Sequence, residues 1–176
     1  KKFHTLQHQI SVVFICLLLL SIFTITLING LFLEKYYVSK KVEVLEEAKE
    51  VLSQMNLDDI LQYDTDIEED KKGATDEISD EIERSSSRNN LTWIIVNEEN
   101  SGYYYWGENN MAKMLRSKLF GYINNLDQDM QHSRVLKKTD TCTMWQVHDR
   151  FAGMEYVECW GQFDNGYYFL IRSPLE

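Results

Sequence analysis

At 176 residues, 44% of them hydrophobic, the chain has material for one compact domain and an accessory element. A formal net charge of −10 argues against a nucleic-acid partner, whose phosphates need a basic surface. The apolar residues are unevenly spread: none of Asp, Glu, Lys or Arg lies between Phe3 and Leu33, and all 28 acidic residues fall at Glu34 or later.

The apolar run "ISVVFICLLLLSIFTITLINGLF" starts at Ile10 and exceeds the roughly 20 residues a helix needs to cross a bilayer. It is longer than a signal-peptide core, and no Ala before Ala48 could form a small-residue cleavage site, so it reads as an uncleaved anchor. Ser11, Ser21, Thr24 and Asn29 make no polar stripe of the kind a soluble core helix would carry. Lysines flank both ends (Lys1 and Lys2, then Lys35, Lys40 and Lys41), so charge alone leaves the orientation open.

The stretch "LEKYYVSKKVEVLEEAKEVLSQM" spaces Tyr37, Val44, Leu45, Val51, Leu52 and Met55 as an amphipathic helix continuing from the anchor, with Tyr36 and Tyr37 at the membrane interface. Besides packing on its own domain, such a helix can serve a homodimer. Residues 56–90 then read as a short helical turn, an acidic loop around Gly73 and a polar helix around Asp76 to Arg84. The carboxylate run "DTDIEED" fails as a calcium loop: counted from Asp64, the sixth and twelfth places hold Glu69 and Thr75 rather than Gly and Glu.

"LTWIIV" and "YYYW" predict a strand hairpin across the turn "NEENSG". An amphipathic helix follows, capped by Asn109 or Asn110, with Met111, Met114, Leu115, Leu119, Tyr122, Ile123 and Leu126 on one face. Four strands complete the chain: "SRVLKKT", "CTMWQVHD", "MEYVECWGQF" and "YYFLIR". Asp164-Asn165-Gly166 between the last two predicts a type I′ hairpin turn. The expected fold is α+β, with one central antiparallel sheet and helices mostly on one face, an order that resembles PAS-like and Cache-like domains.

No constellation of catalytic residues emerges. His4, His8, His132 and His148 have no metal-ligand partner at fixed spacing, and phosphate loops, nucleophile elbows and Cys-x-x-Cys pairs are missing. Pairing His148 with Gly153 across the "RFAG" connection would set Cys142 opposite Cys159, as a disulfide or as free core thiols. Trp93, Tyr103, Tyr105, Trp145 and Trp160 are candidates for an aromatic ligand wall, or for plain core packing.

The segment "MEYVECWGQFDNGYYFLIRSPLE" resembles the end of the extracytoplasmic sensor region in membrane histidine kinases of Firmicutes, through Glu158, Trp160, Gly161, Asp164, Asn165, Gly166, Arg172, Pro174, Leu175 and Glu176. That resemblance implies a cytoplasmic start (1–9), a transmembrane helix (10–33), an extracytoplasmic sensor domain (34–173) and the beginning of a second membrane segment (174–176). Arg172 and Pro174 would form the elbow where the signal leaves the sheet. The implied parent is a plasma-membrane homodimer in a two-component system. Its ATP- and Mg-dependent kinase core, absent from this chain, would act on a response regulator; the chain itself needs no cofactor or metal. The stimulus is open: a cation or cationic peptide on the acidic stretch, a small molecule in an aromatic pocket, or no ligand at all. Two other readings are a type IV pilin-like subunit, against which Lys2 and Gln7 replace the expected Gly and Glu, and a membrane-anchored ligand-binding protein or enzyme.

Overall fold

The computed structural model describes residues 2–55, 76–97, 103–107 and 111–175. The acidic stretch before Asp76, most of the first hairpin turn, the proposed caps Asn109 and Asn110, and Glu176 lie outside the described residues. The chain falls into two units, Lys1–Ser39 and Lys40–Glu176.

The first unit contains helix α1 (Lys2–Ile28) and a π-helical stretch at Asn29–Leu33. Its segment His8–Ile28, with mean hydropathy 2.8, is long and apolar enough to cross a membrane. The hydroxyls of Ser21, Thr24 and Thr26 donate to the carbonyls of Leu18, Leu20 and Ile22, so each polar side chain is satisfied within its own helix.

Helix α2 (Glu34–Ser53) enters the second unit at Lys40, and α3 (Asp76–Asn89) follows it. Next come β1 (Thr92–Val96), β2 (Tyr103–Trp106) and α4 (Ala112–Ile123). A 3-10 turn at Gln128–His132 leads to β3 (Arg134–Lys138), β4 (Cys142–Asp149), β5 (Met154–Gln162) and β6 (Tyr168–Pro174). All six strands form one antiparallel sheet in the order β2-β1-β6-β5-β4-β3. The hairpin and the meander are therefore joined by their first and last strands, which places β6 between β1 and β5.

Helices cover both faces of this sheet, not mainly one as the sequence suggested. The reason lies in β1 and β6, where consecutive residues (Trp93 to Val96, Phe169 to Ile171) are apolar and buried, so neither face can meet water. On one face, Leu45, Ala48 and Leu52 of α2 and Ile82 of α3 pack on Trp93, Ile95, Cys142, Met144, Val157, Cys159, Phe169 and Ile171. On the other, Leu115, Leu119 and Tyr122 of α4 pack on Ile94, Val96, Trp145, Val147, Tyr156 and Leu170. Truncating a buried leucine in either layer, such as Leu45 or Leu119, costs about 2–5 kcal/mol. Leu126, assigned to the α4 face, lies beyond the helix end and is exposed. The edge strand β3 presents Arg134, Lys137 and Lys138 outward, which discourages further strand pairing.

Two turns differ from expectation. Gly166 is left-handed (φ 89°) while Asn165 is not, and Gly166 N–H donates to Phe163 O (2.9 Å). The connection is a three-residue loop closed by a left-handed glycine, not a two-residue type I′ turn. On the β4–β5 side, His148 pairs with Glu155 and Asp149 with Met154, so the register is displaced by two residues from the expected one.

Candidate functional site

The register of the sheet brings four charged side chains together in the α4-facing layer. Asp149 follows Trp145 and Val147 at alternate positions of β4, Glu158 lies between Tyr156 and Trp160 on β5, and Arg172 follows Leu170 on β6. Lys118 stands three residues after Leu115 and four before Tyr122, on the buried stripe of α4. Their side chains are 6% exposed for Lys118, 1% for Asp149, 0% for Glu158 and 2% for Arg172, so this is an ionic cluster inside the core.

The charges balance as two cations and two anions. Lys118 Nζ lies 3.0 Å from Asp149 Oδ2 and 3.3 Å from Glu158 Oε1, while Arg172 Nη1 lies 2.8 Å from Asp149 Oδ2 and 4.0 Å from Glu158 Oε1. Neutral donors serve the other oxygen of each carboxylate, while the buried Glu158 Oε1 makes no hydrogen bond. Tyr122 Oη (2.7 Å) and Trp145 Nε1 (3.2 Å) donate to Glu158 Oε2, and the N–H groups of Phe151 and Ala152 donate to Asp149 Oδ1. Asp149 thus uses one oxygen to hold the β4–β5 turn and the other to hold the cluster. Burial by itself would raise its pKa; the Ala152 N–H, Lys118 and Arg172 outweigh that and hold the carboxyl at about 2.

Arg172 is the member that reaches an open cleft of about 710 Å³, within the range of small-molecule sites. Its guanidinium lies over the Tyr156 ring at 4.2 Å from the centroid, and Nη2 approaches Met111 Sδ at 3.9 Å. The cleft opens where α3 ends and α4 begins. Asn90, left-handed at φ 53°, and Thr92 supply polar rim, while Trp106, Met111 and Met154 supply apolar wall. Arg172 Nε is buried without a hydrogen-bond partner, a donor held away from water at the edge of this space.

The five aromatic candidates do not converge. Trp93 lies on the α2 and α3 face, where its Nε1 donates to Ser86 Oγ (2.9 Å); Tyr103, Tyr105, Trp145 and Trp160 lie on the opposite face. Trp145 and Trp160 are ring neighbours of one another, in a group with Tyr122, and none of the five lines the cleft. Arg172 and Pro174 both line it. The strand continues through Pro174 opposite Tyr156, and Leu175 N–H still reaches Glu155 O (3.0 Å). Proline is tolerated there because pairing with β1 ends at Thr92 and Arg172, leaving no ladder bond for its missing N–H.

Cys142 and Cys159 are free thiols. The displaced register puts Cys142 opposite Gly161 and Cys159 opposite Met144, so the cysteines are diagonal neighbours on one face instead of a direct pair. Among the described residues, no group of three His, Cys, Asp or Glu side chains could hold a metal ion.

The signal for Lys118, Asp149 and Glu158 was present in the sequence as charges at inward positions of amphipathic elements. It is visible only once each element's buried phase is fixed. No protein-family model, curated protein or solved structure matches the chain.

Proposed function

We propose that this chain is the signal-sensing module of a membrane receptor, with a PAS-like or Cache-like domain outside the cell that controls a histidine kinase acting on a response regulator. One observation carries the reading: consecutive residues of β6 engage different parts of the domain. Arg172 faces the cleft and the ionic cluster. Ser173 faces the other way, accepts a hydrogen bond from Lys41 Nζ of α2 (2.8 Å) and donates to Asn89 O at the end of α3 (3.1 Å). Partial burial lowers the Lys41 pKa.

The helix that follows the apolar α1 is therefore tied to the strand that lines the cleft. A ligand in the cleft that favours one arrangement of Arg172 over another biases β6 and, through Ser173, α2. The receptor operates as a homodimer in the plasma membrane, with α1 as an anchor. The hairpin and meander meeting at β1 and β6 also fit the PAS-like or Cache-like layout.

Fusing residues 1–176 through a second membrane helix to a reporter histidine-kinase core tests the reading. Output should respond to a stimulus found by ligand screening, and Arg172→Ala should abolish the response while leaving the module in the membrane. Output indifferent to every stimulus and to Arg172→Ala would count against it. A phosphoacceptor histidine encoded downstream in the same gene would support the kinase assignment, and its absence would refute it.

A further inference from the structure

Cys142 is the first residue of β4 and Cys159 lies midway along β5, both pointing toward α2. The diagonal placement is tightened by Gly161, the residue opposite Cys142. Gln162 N–H donates to Thr141 O (3.1 Å), and a Cβ added to Gly161 would collide with that same carbonyl oxygen and lie 2.8 Å from Cys142 Cα. Only a residue without a side chain lets the two strands approach so closely. The Cys159 thiol thereby lies diagonally across from the Cys142 sulfur on the same face of the sheet.

The two sulfurs differ in surroundings. Cys142 Sγ has Thr139 Oγ1 at 3.2 Å and Lys49 Nζ at 4.0 Å, and lies at the end of its strand with 6% of the residue exposed. Cys159 is completely buried. The other charges near them are Glu46 on α2 and Lys137 on β3, which pair with each other; Glu46 raises the pKa of both thiols while Lys49 lowers it.

We propose that Cys142 and Cys159 form a peroxide-reactive thiol pair, with Cys142 as the attacking sulfur and Cys159 as the resolving one. The Cys142 thiolate attacks one oxygen of a hydroperoxide and the O–O bond breaks. The sulfur becomes a sulfenic acid, and the departing oxygen takes up a proton to leave as water or an alcohol. Cys159 then gives up its proton and attacks the sulfenic sulfur; the S–S bond forms and hydroxide leaves as water. Two electrons pass from the thiol pair to one peroxide.

Electrostatics supports this division of labour. The hydrogen bond from Cys159 lowers the Cys142 pKa; burial opposes it, and Thr139 and Lys49 lower it further, to about 5. Its hydrogen bond with Cys142, then burial, raises the Cys159 pKa. Diagonal neighbours have Cα atoms about 7–8 Å apart, whereas relaxed disulfides prefer about 4.4–6.8 Å. Oxidation must therefore shift β4 against β5, the two strands that hold Asp149 and Glu158. The chemistry is the same whether or not the module serves a receptor.

The test uses the full chain in detergent with Cys16→Ser, so that only the pair reacts, and one equivalent of hydrogen peroxide. The expected product is a cross-linked peptide containing Cys142 and Cys159, with loss of two hydrogens. In Cys159→Ser, a sulfenic acid should be trapped by dimedone at Cys142. At pH 6, thiol loss should run about tenfold faster than for free cysteine, the gain in thiolate outweighing its lower nucleophilicity. The rate should fall several-fold in Lys49→Met. Oxidation without the cross-link, or reaction no faster than free cysteine, would overturn the proposal. The rate for the Cys16→Ser protein decides the matter even if other cysteine variants fail to fold.

Discussion

Replacing Lys118 with Met leaves the α4 layer its apolar stem and removes one of four buried charges. Glu158 then faces only Arg172, at 4.0 Å, with its neutral donors Tyr122 and Trp145. Asp149 keeps Arg172 at 2.8 Å and its two turn N–H groups. The cluster goes from neutral to one net negative charge in a region where Glu158 is fully buried. Breaking a buried pair by removing one partner costs about 3–5 kcal/mol, because two buried carboxylates are then left to share one guanidinium away from water. For a domain of this size, that corresponds to a fall in Tm of roughly 10 °C.

The compensating variant separates charge from packing. Lys118→Met with Glu158→Gln restores neutrality and preserves an acceptor for Tyr122 and Trp145, so it should recover at least half of the loss. Urea unfolding in detergent, followed by tryptophan fluorescence, reads both values, since Trp145 contacts Glu158 directly. If Lys118→Met costs less than about 1 kcal/mol, the cluster is not the desolvated network described above. If the two substitutions simply add, the charges are not coupled.

Acid should weaken the domain through Asp149. Its carboxyl is held at about 2 against an ordinary 3.8, so the stabilisation is complete above pH 4 and lost as pH falls toward 2; this is about 2 kcal/mol, and the stability gap between wild type and Asp149→Asn should shrink over that window in urea titrations. Gly161→Ala should cost about 1–3 kcal/mol in the same assay, because the new methyl meets Thr141 and Cys142 backbone that cannot turn aside. Ser173→Ala removes the acceptor for Lys41 and the donor to Asn89, so it should cost about 1 kcal/mol in stability yet weaken signalling in the reporter fusion disproportionately. A signalling loss no larger than that of an equally destabilising core variant, such as Ile171→Val, would refute the coupling.

The strands were legible because β-branched and aromatic residues mark them: "CTMWQVHD" coincides with β4 and "LTWIIV" contains β1. What stayed hidden depends on pairing. A register displaced by two residues preserves every side chain's face, so the sequence could place Cys142 and Cys159 on the same face under either alignment without showing which residue each opposes. Helices on both faces were foreshadowed by the uninterrupted apolar run Trp93 to Val96, although the alternation elsewhere suggested one wet face. Arg172 was singled out for its position near Pro174, whereas its partners Asp149, Glu158 and Tyr156 come from two other strands, a relation no local pattern encodes.

The size of these terms constrains how the proposed receptor would work. Allosteric coupling is usually about 1–3 kcal/mol, less than the cost of stripping a charge from this cluster. A ligand in the cleft therefore has too little free energy to pull Arg172 out of the core. Re-pairing is within reach: Arg172 sits 2.8 Å from Asp149 and 4.0 Å from Glu158, so a small displacement trades one carboxylate for the other and keeps all four charges matched. Such an exchange would loosen the β4–β5 turn that Asp149 also holds and shift Ser173 against Lys41. A neutral quartet with two carboxylates in reach of one guanidinium offers Arg172 a second partner, which an apolar core of the same volume would lack.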